Sequence, residues 1–381
     1  MQAKRYSFIL FLVLGLFIQP LLAQQSNPFY SHYGDFKADA KENLFFRFEN
    51  LNFFKNNEYQ EPFGEGSTLL GYIATPKMVY YPTSNLSIAA GARLQKYSGR
   101  DNFSEVEPVF TIHYQANSNL AFLLGTLNQN DNHKLHEALF EPERFFTSNA
   151  ENGFQVLYKS KRIHFDTWIN WEQFIFQNDP FQEIFTFGLS GDIRLNNPES
   201  SHSFSIPMQA LFTHKGGEID TSDDKVQTIR HLGTGLVYKK SFESSKMSNF
   251  NAEVLYFQFS DNSSFKEFVF DKGNGFHFRI GAETKHSYLK LGYWLGDKFN
   301  SSRGSALFQS VVLAEKPHIE KRRDILTAKY RYQKPIADGI LLGGQLDVYS
   351  NLNINGEISA AASLFVRING EFFLKKLTWK D

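Results

Sequence analysis

Between Leu86 and Tyr114 the chain alternates residue by residue, and this period of two constrains the fold more than any other feature of the sequence. Ile88, Ala90, Ala92 and Leu94 are apolar, while Ser87, Ala89, Gly91, Arg93 and Gln95 between them are small or polar. After the polar turn Tyr97 to Ser104, Val106, Pro108, Phe110, Ile112 and Tyr114 take one side and Glu105, Glu107, Thr111 and His113 the other. Successive side chains of a strand point to opposite faces, so one face here seeks hydrocarbon and the other water.

The same rule returns along most of the chain. Leu44, Phe46 and Phe48 alternate with Phe45, Arg47 and Glu49, and Ile163, Phe165, Ile169 and Trp171 with His164, Asp166, Trp168, Asn170 and Glu172. Phe185, Phe187, Leu189, Ile193 and Leu195 oppose Thr186, Ser190, Asp192 and Arg194. The last segment, from Glu357 to Leu374, places Ile358, Ala360, Ala362, Leu364, Val366 and Ile368 on the apolar side. These patterns predict about sixteen strands, with fourteen as the alternative count.

The connections support that reading. Counted from the first strand, the odd ones tend to be long: Lys55 to Gly66, Asn128 to Asn152, His214 to Lys225, Asp261 to Asn274 and Asn300 to Lys321. The even ones are short, as at Ser160 with Lys161 and Lys285 with His286. Long loops at one end and tight turns at the other are the habit of an up-and-down barrel crossing a membrane. Many strands reach ten residues or so, enough for a tilted strand to span a bilayer.

Met1 to Ala23 carries Lys4 and Arg5, an apolar run Tyr6 to Leu22 and a small residue before Gln24, and is read as a secretory signal peptide. Residues 24–42 follow as a polar periplasmic lead-in, and 43–381 as the barrel. A mean hydropathy of -0.37 excludes a bundle of membrane helices. The absence of cysteine removes disulfides and thiolate metal sites. Forty basic residues less Lys4 and Arg5 leave 38 against 40 acidic ones, so nucleic acid is not an expected partner. Aromatic residues make up 16 % of the chain, which suits lipid-facing girdles.

In this alternation and loop rhythm, from Leu44 to Leu374, the chain resembles Gram-negative outer-membrane β-barrels of the porin-like class, with the texture of Bacteroidota members. The resemblance implies an all-β, transmembrane antiparallel barrel in contact with outer-membrane lipid, passing small hydrophilic solutes. It departs from the class in ending Thr378-Trp379-Lys380-Asp381, so Trp379 would serve as the terminal assembly signal, and in lacking Pro-Glu-Phe-Gly-Gly in the third external loop. The alternatives carried forward are a non-conducting outer-membrane barrel acting as structural or export partner of a lipoprotein or secretion system, and a soluble secreted β protein; a homotrimer or a lipoprotein partner is a further expectation.

The polar register supplies candidate lumen residues: Arg47, Glu49, Arg93, Glu107, His113, His164, Asp166, Glu172, Asp192, Arg194, His277, Arg279, Glu283, Lys290 and Arg367. Both signs occur, which suits weak ion preference. In porins the third external loop folds inward, and the resemblance implies the same for Asn128 to Asn152. Its centre, His133 to Glu141, is expected as a short helix with Leu135, Leu139 and Phe140 against the wall and His136, Glu137, Glu141, Glu143 and Arg144 facing a constriction. His133 and His136 are three apart, a weak metal signal without the H-E-x-x-H pattern, and no metal or other cofactor is expected. No G-x-S-x-G element, phosphate loop or dinucleotide fingerprint is present, and on that ground the chain is expected not to be an enzyme.

Overall fold

The computed structural model describes residues 36–378, except 61, 130, 131, 244, 245, 267, 313–317 and 355. The expected signal peptide, most of the lead-in and Trp379 lie outside the described residues. The first strands are β1 (Asn43–Glu58), β2 (Ser67–Thr83), β3 (Leu86–Tyr97), β4 (Glu105–Gln115) and β5 (Leu120–Thr126). Next come β6 (Asn152–Lys159), β7 (Ile163–Gln173), β8 (Ile184–Arg194), β9 (His202–Lys215) and β10 (Gln227–Ser241). They are followed by β11 (Asn249–Asp261), β12 (Lys272–Glu283), β13 (Ser287–Asp297), β16 (Arg322–Ala337), β17 (Ile340–Asn351) and β18 (Glu357–Lys376). A small hairpin, β14 (Val311–Val312) and β15 (His318–Ile319), lies in the connection between β13 and β16.

Sixteen strands, all but that hairpin, close into one antiparallel barrel, with β1 pairing β18 from Asn43↔Lys376 to Glu58↔Ala360. Closure follows from the solvent: a backbone amide without a partner costs several kcal/mol in hydrocarbon, so a sheet surrounded by lipid has no edges. The apolar register faces out, with Val106 63 % exposed, Leu124 54 % and Leu364 62 %, whereas Ser87, Arg93 and Gln95 are buried inside. A soluble sandwich would show the opposite arrangement.

A sixteen-strand wall encloses more room than its own side chains fill. Two of the long connections occupy it. The β5–β6 connection turns inward and buries Ala138, Leu139 and Phe140, and the β13–β16 connection does the same with Leu307 and Phe308. Ala138, Leu139, Leu307 and Phe308 join Phe257, Phe259, Trp294 and Phe299 in an apolar core in the barrel interior, while Phe140 packs with Leu135, Trp168 and Leu211. The interior therefore holds this apolar core beside the polar register, and the connection from Asn128 to Asn152 folds inward as the resemblance implies. Hydrogen bonds tie the two connections to each other, Ser301 Oγ donating to Leu139 O at 3.1 Å and Glu141 N to Arg303 O at 2.8 Å.

The helix expected over His133 to Glu141 does not form. His133 and Lys134 hold left-handed backbone, φ 51° and 57°, which a right-handed helix cannot include. The α-helical turn of this connection falls later, at Arg144–Thr147. His133 is held instead between two carboxylates: Nδ1–H donates to Asp166 Oδ2 at 2.8 Å and Nε2–H to Glu151 Oε2 at 2.7 Å. Its ring lies flat on Trp168, 3.6 Å between centroids. Trp168 in turn packs against Gly188, where a Cβ would sit 2.2 Å from the indole. Burial opposes a charge on His133, but Asp166 and then Glu151 outweigh it and lift its pKa to about 10.

Phe110→Arg, in the middle of the lipid-facing row of β4, is expected to cost about 2–4 kcal/mol. The heat-modifiable gel shift of the folded barrel should then move to lower temperature, and an unchanged transition would contradict the outward placement of Phe110. The His133 clamp has a pH signature. Because the folded pKa lies above the usual 6.5, the clamp's stabilisation is complete below pH 6.5 and disappears as pH rises through about 10. The imidazolium quenches the indole stacked on it, so Trp168 emission should rise over that window in the native chain and not in His133→Gln. Identical titrations of the two proteins would contradict the clamp.

Candidate functional site

Two of the cavities left in the interior lie against the infolded β5–β6 connection, and Gln129, Phe145 and Ala150 line both. The one nearer the short-turn end has about 1170 Å³ of space including its openings, and is walled by Arg47, Glu49, Arg93, His113 and Arg367. Five of the lumen residues predicted from the alternation thus meet there. None faces open water alone. Arg47 ion-pairs with Glu371, Lys77 reaches Glu49 at 2.6 Å, and Arg93 bonds Glu105 at 2.7 Å and Glu107 at 3.2 Å. Phe36 closes the cavity from below, its ring 4.9 Å from His113, so this end of the lead-in packs into the barrel.

The second cavity, about 1060 Å³ including its mouth, lies at the long-loop end and is lined by Glu107, Arg144, Glu151, Asn170, Trp171 and Glu172, among others. Most of its lining comes from the β5–β6 connection, with Glu107 of β4, Asn152 of β6 and Asn170, Trp171 and Glu172 of β7 completing the wall. Glu107 accepts a hydrogen bond from Ala150 N at 3.0 Å, which fixes the loop backbone over the cavity. Glu172 joins the two infolded connections: Arg303 Nη2 donates to it at 2.8 Å, Arg144 approaches at 3.7 Å, and Thr186 Oγ1 donates to it at 2.5 Å. Burial, and then the neighbouring Arg303, disfavours the charge of Arg144 and lowers its pKa.

Trp171 gives this cavity its position. It projects from the outer face of β7 at 40 % exposure, yet it lines the cavity, and its Nε1–H donates to Glu183 Oε1 at 3.1 Å. The mouth cavity therefore reaches the rim of the lipid-facing wall, which the short-turn cavity does not.

The other predicted residues are placed elsewhere. His136 lies deep in the apolar core and not at a constriction. Ala138 N donates to its Nδ1 at 3.1 Å, so its proton is on Nε2, which donates to His277 Nδ1 at 2.9 Å. His277 then carries its proton on Nε2, toward Thr327 Oγ1 at 3.3 Å. Burial, followed by the nearby Arg279, holds the His136 pKa well below the usual range, so the ring is neutral. Glu137 pairs with Lys329 at 2.5 Å, and Glu143 with Lys55 at 2.5 Å and Asn57 at 3.0 Å. Burial, with Glu143 beside it, pushes Glu141 up to about 7.

Arg279 and Lys290 converge on Glu253, and His164 sits 3.4 Å from Asp192. Arg194 binds the carbonyls of Ser200 and His202 at a turn, and Glu283 accepts from Asn249 at 2.8 Å. His133 and His136 thus engage different partners and do not converge on one point. Among the described residues no cluster of three or more such ligands could hold a metal ion. Sequence reasoning missed Lys55, Lys329, Trp168 and Arg303. The visible signal was the apolar Leu307-Phe308 inside a long external connection.

The fold is that of outer-membrane porins. Superposition on OprD of Pseudomonas aeruginosa covers 90 % of this chain and 99 % of that one, with a TM-score of 0.53 at 8 % identity. A loop-L8 deletion mutant of OmpT, an outer membrane protein of Vibrio cholerae, gives 86 % and 99 %, TM-score 0.51 and 7 % identity. Identities this low concern the fold alone. No curated protein matches the sequence.

Residues 36–377 match the model of a family described as Lipid A 3'-O-deacylase-type. That description is of an enzyme family, and it overturns the expectation of a non-enzyme, which rested on missing local motifs. With the match running through nearly the whole barrel, this chain is an outer-membrane β-barrel that belongs to the Lipid A 3'-O-deacylase-type family.

Proposed function

We propose that the protein hydrolyses an acyl ester of an outer-leaflet glycolipid of the lipid A kind, with the headgroup held in the mouth cavity. The observation that carries this reading is the cavity's position, polar within and walled at the membrane rim by Trp171. A glycolipid brings phosphates and sugar hydroxyls on one side and hydrocarbon on the other, and this cavity, polar within and bordered by Trp171, offers both surfaces. Arg144 supplies a guanidinium for phosphate or for a developing oxyanion. Asn152 and Asn170 line the same space and supply amides for sugar hydroxyls.

Glu151 acts as the general base. It is buried at the cavity wall, and His133 fixes the orientation of its carboxylate through Oε2. Glu151 takes a proton from water, the oxygen of that water bonds to the ester carbonyl carbon, and the carbon–oxygen bond to the sugar breaks. The departing alkoxide takes up the proton, leaving a free fatty acid and a sugar hydroxyl.

A second reading, passage of small hydrophilic solutes, is favoured by the charged cavity around Arg47 and Arg93 in the short-turn half. Fatty-acid release from lipid A, followed by mass spectrometry on the folded barrel in detergent, separates the two. The native chain should release fatty acid, Glu151→Gln should lower the rate by about 100-fold or more, and Arg144→Ala should raise KM. Folded native protein that leaves every acyl ester intact while conducting in a planar bilayer would overturn the hydrolase reading and favour passage.

A further inference from the structure

Above the end of β7, beyond a register shift between Trp171 and Gln173, apolar side chains still face outward. Phe174 and Phe176 are 61 % and 73 % exposed and meet edge to face with centroids 5.2 Å apart. Ile175 between them is buried: the register shift between Trp171 and Gln173 inverts the parity of the strand, and beyond it the even residues face outward. The facing connection, between β9 and β10, is bound to this segment. Asn178 N donates to Ile219 O at 2.7 Å, Thr221 N to Asp179 O at 2.8 Å, and Gln182 Nε2 to Asp224 O at 2.9 Å. Together the two connections form a ledge above the rim, which also carries the exposed side chains of Phe181 and Ile219.

Four exposed large apolar side chains on loops directed to water are costly, since each forgoes the free energy that burial from water would release. Their cost vanishes if hydrocarbon covers them. The ledge is continuous with the barrel face that lipid already covers at Ile169, Phe185 and Phe187, and Trp171 at its base is a wall of the mouth cavity. We infer that the ledge bearing Phe174, Phe176, Phe181 and Ile219 is the acyl-chain site through which an outer-leaflet lipid is drawn from the membrane, presenting its headgroup to the mouth cavity. The inference rests on the hydrolase reading for what happens to the headgroup, but the contact with acyl chains stands independently of it.

Two measurements keep the claims separate. Phe176→Trp, reconstituted in vesicles of phosphatidylcholine brominated along the acyl chains, should show emission quenched relative to unbrominated vesicles, after subtraction of the native chain's own tryptophans. Insensitivity to bromine together with ready quenching by aqueous iodide would overturn the inference, because the ledge would then stand in water. The second measurement uses the double variant Phe174→Ser with Phe176→Ser. Cleavage of bilayer-embedded lipid A should fall at least tenfold, while cleavage of a short-chain water-soluble ester stays at the native level. Equal loss on both substrates would mean that the ledge only supports the fold. If the native chain cleaves neither ester, the hydrolase reading fails, and the bromine quenching alone decides the ledge.

Discussion

A backbone surrounded by hydrocarbon has no water to bond with, and the rest of this structure follows from that deprivation. The sheet closes so that every ladder is complete, down to the seam of β1 on β18. Closure at sixteen strands fixes a diameter too great for wall side chains to fill. Something else must enter, and the chain supplies its own two longest infolded connections. Their polar atoms are met by the inward register and by each other: Glu137 by Lys329, Glu143 by Lys55, Glu172 by Arg303. Buried ions of this kind rarely add much net stability, since desolvation offsets attraction, but removing one partner is expensive. They therefore hold the loops in one arrangement more than they raise the stability of the barrel.

The same arrangement explains why a charged interior and an enzymatic family are compatible. The mixed-sign wall residues are in large part counter-ions for one another and for the infolded loops, as in the grouping of Glu253 with Arg279 and Lys290. Among the spaces left over, two border the infolded β5–β6 connection, and one of them reaches Trp171 at the rim where lipid and water meet. In the proposed hydrolase, the site there would take its chemistry from the loop, through Arg144 and Glu151, and its access from the wall, through Trp171. That loop is clamped to the barrel at His133.

The alternation of Phe110 against Thr111, or Leu364 against Phe365, is a local property of adjacent residues, and the wall was legible for that reason. The strand number and the rhythm of long and short connections came from the same source. The interior was not legible in this way. Leu139 and Ser301 touch although 162 positions separate them, and no period within a connection reports such a contact. The helix expected around His133 failed because two successive left-handed residues replace it, a choice imposed by Asp166 and Glu151 rather than by propensity. The search for catalytic motifs failed for a related reason. Motifs describe neighbours in sequence, whereas a site in a barrel draws Glu107, Glu151 and Glu172 from separate parts of the chain.

The central claim is that the infolded connection seals the middle of the barrel, and a chain without cysteine allows a direct test. A single thiol introduced as Leu139→Cys would be the only one present. In the folded barrel it should resist a water-soluble maleimide until the protein is boiled, as befits a position with no solvent exposure. Labelling as fast as that of a thiol placed at exposed Asn178 would contradict the account, because the lumen would then be open to water along its axis.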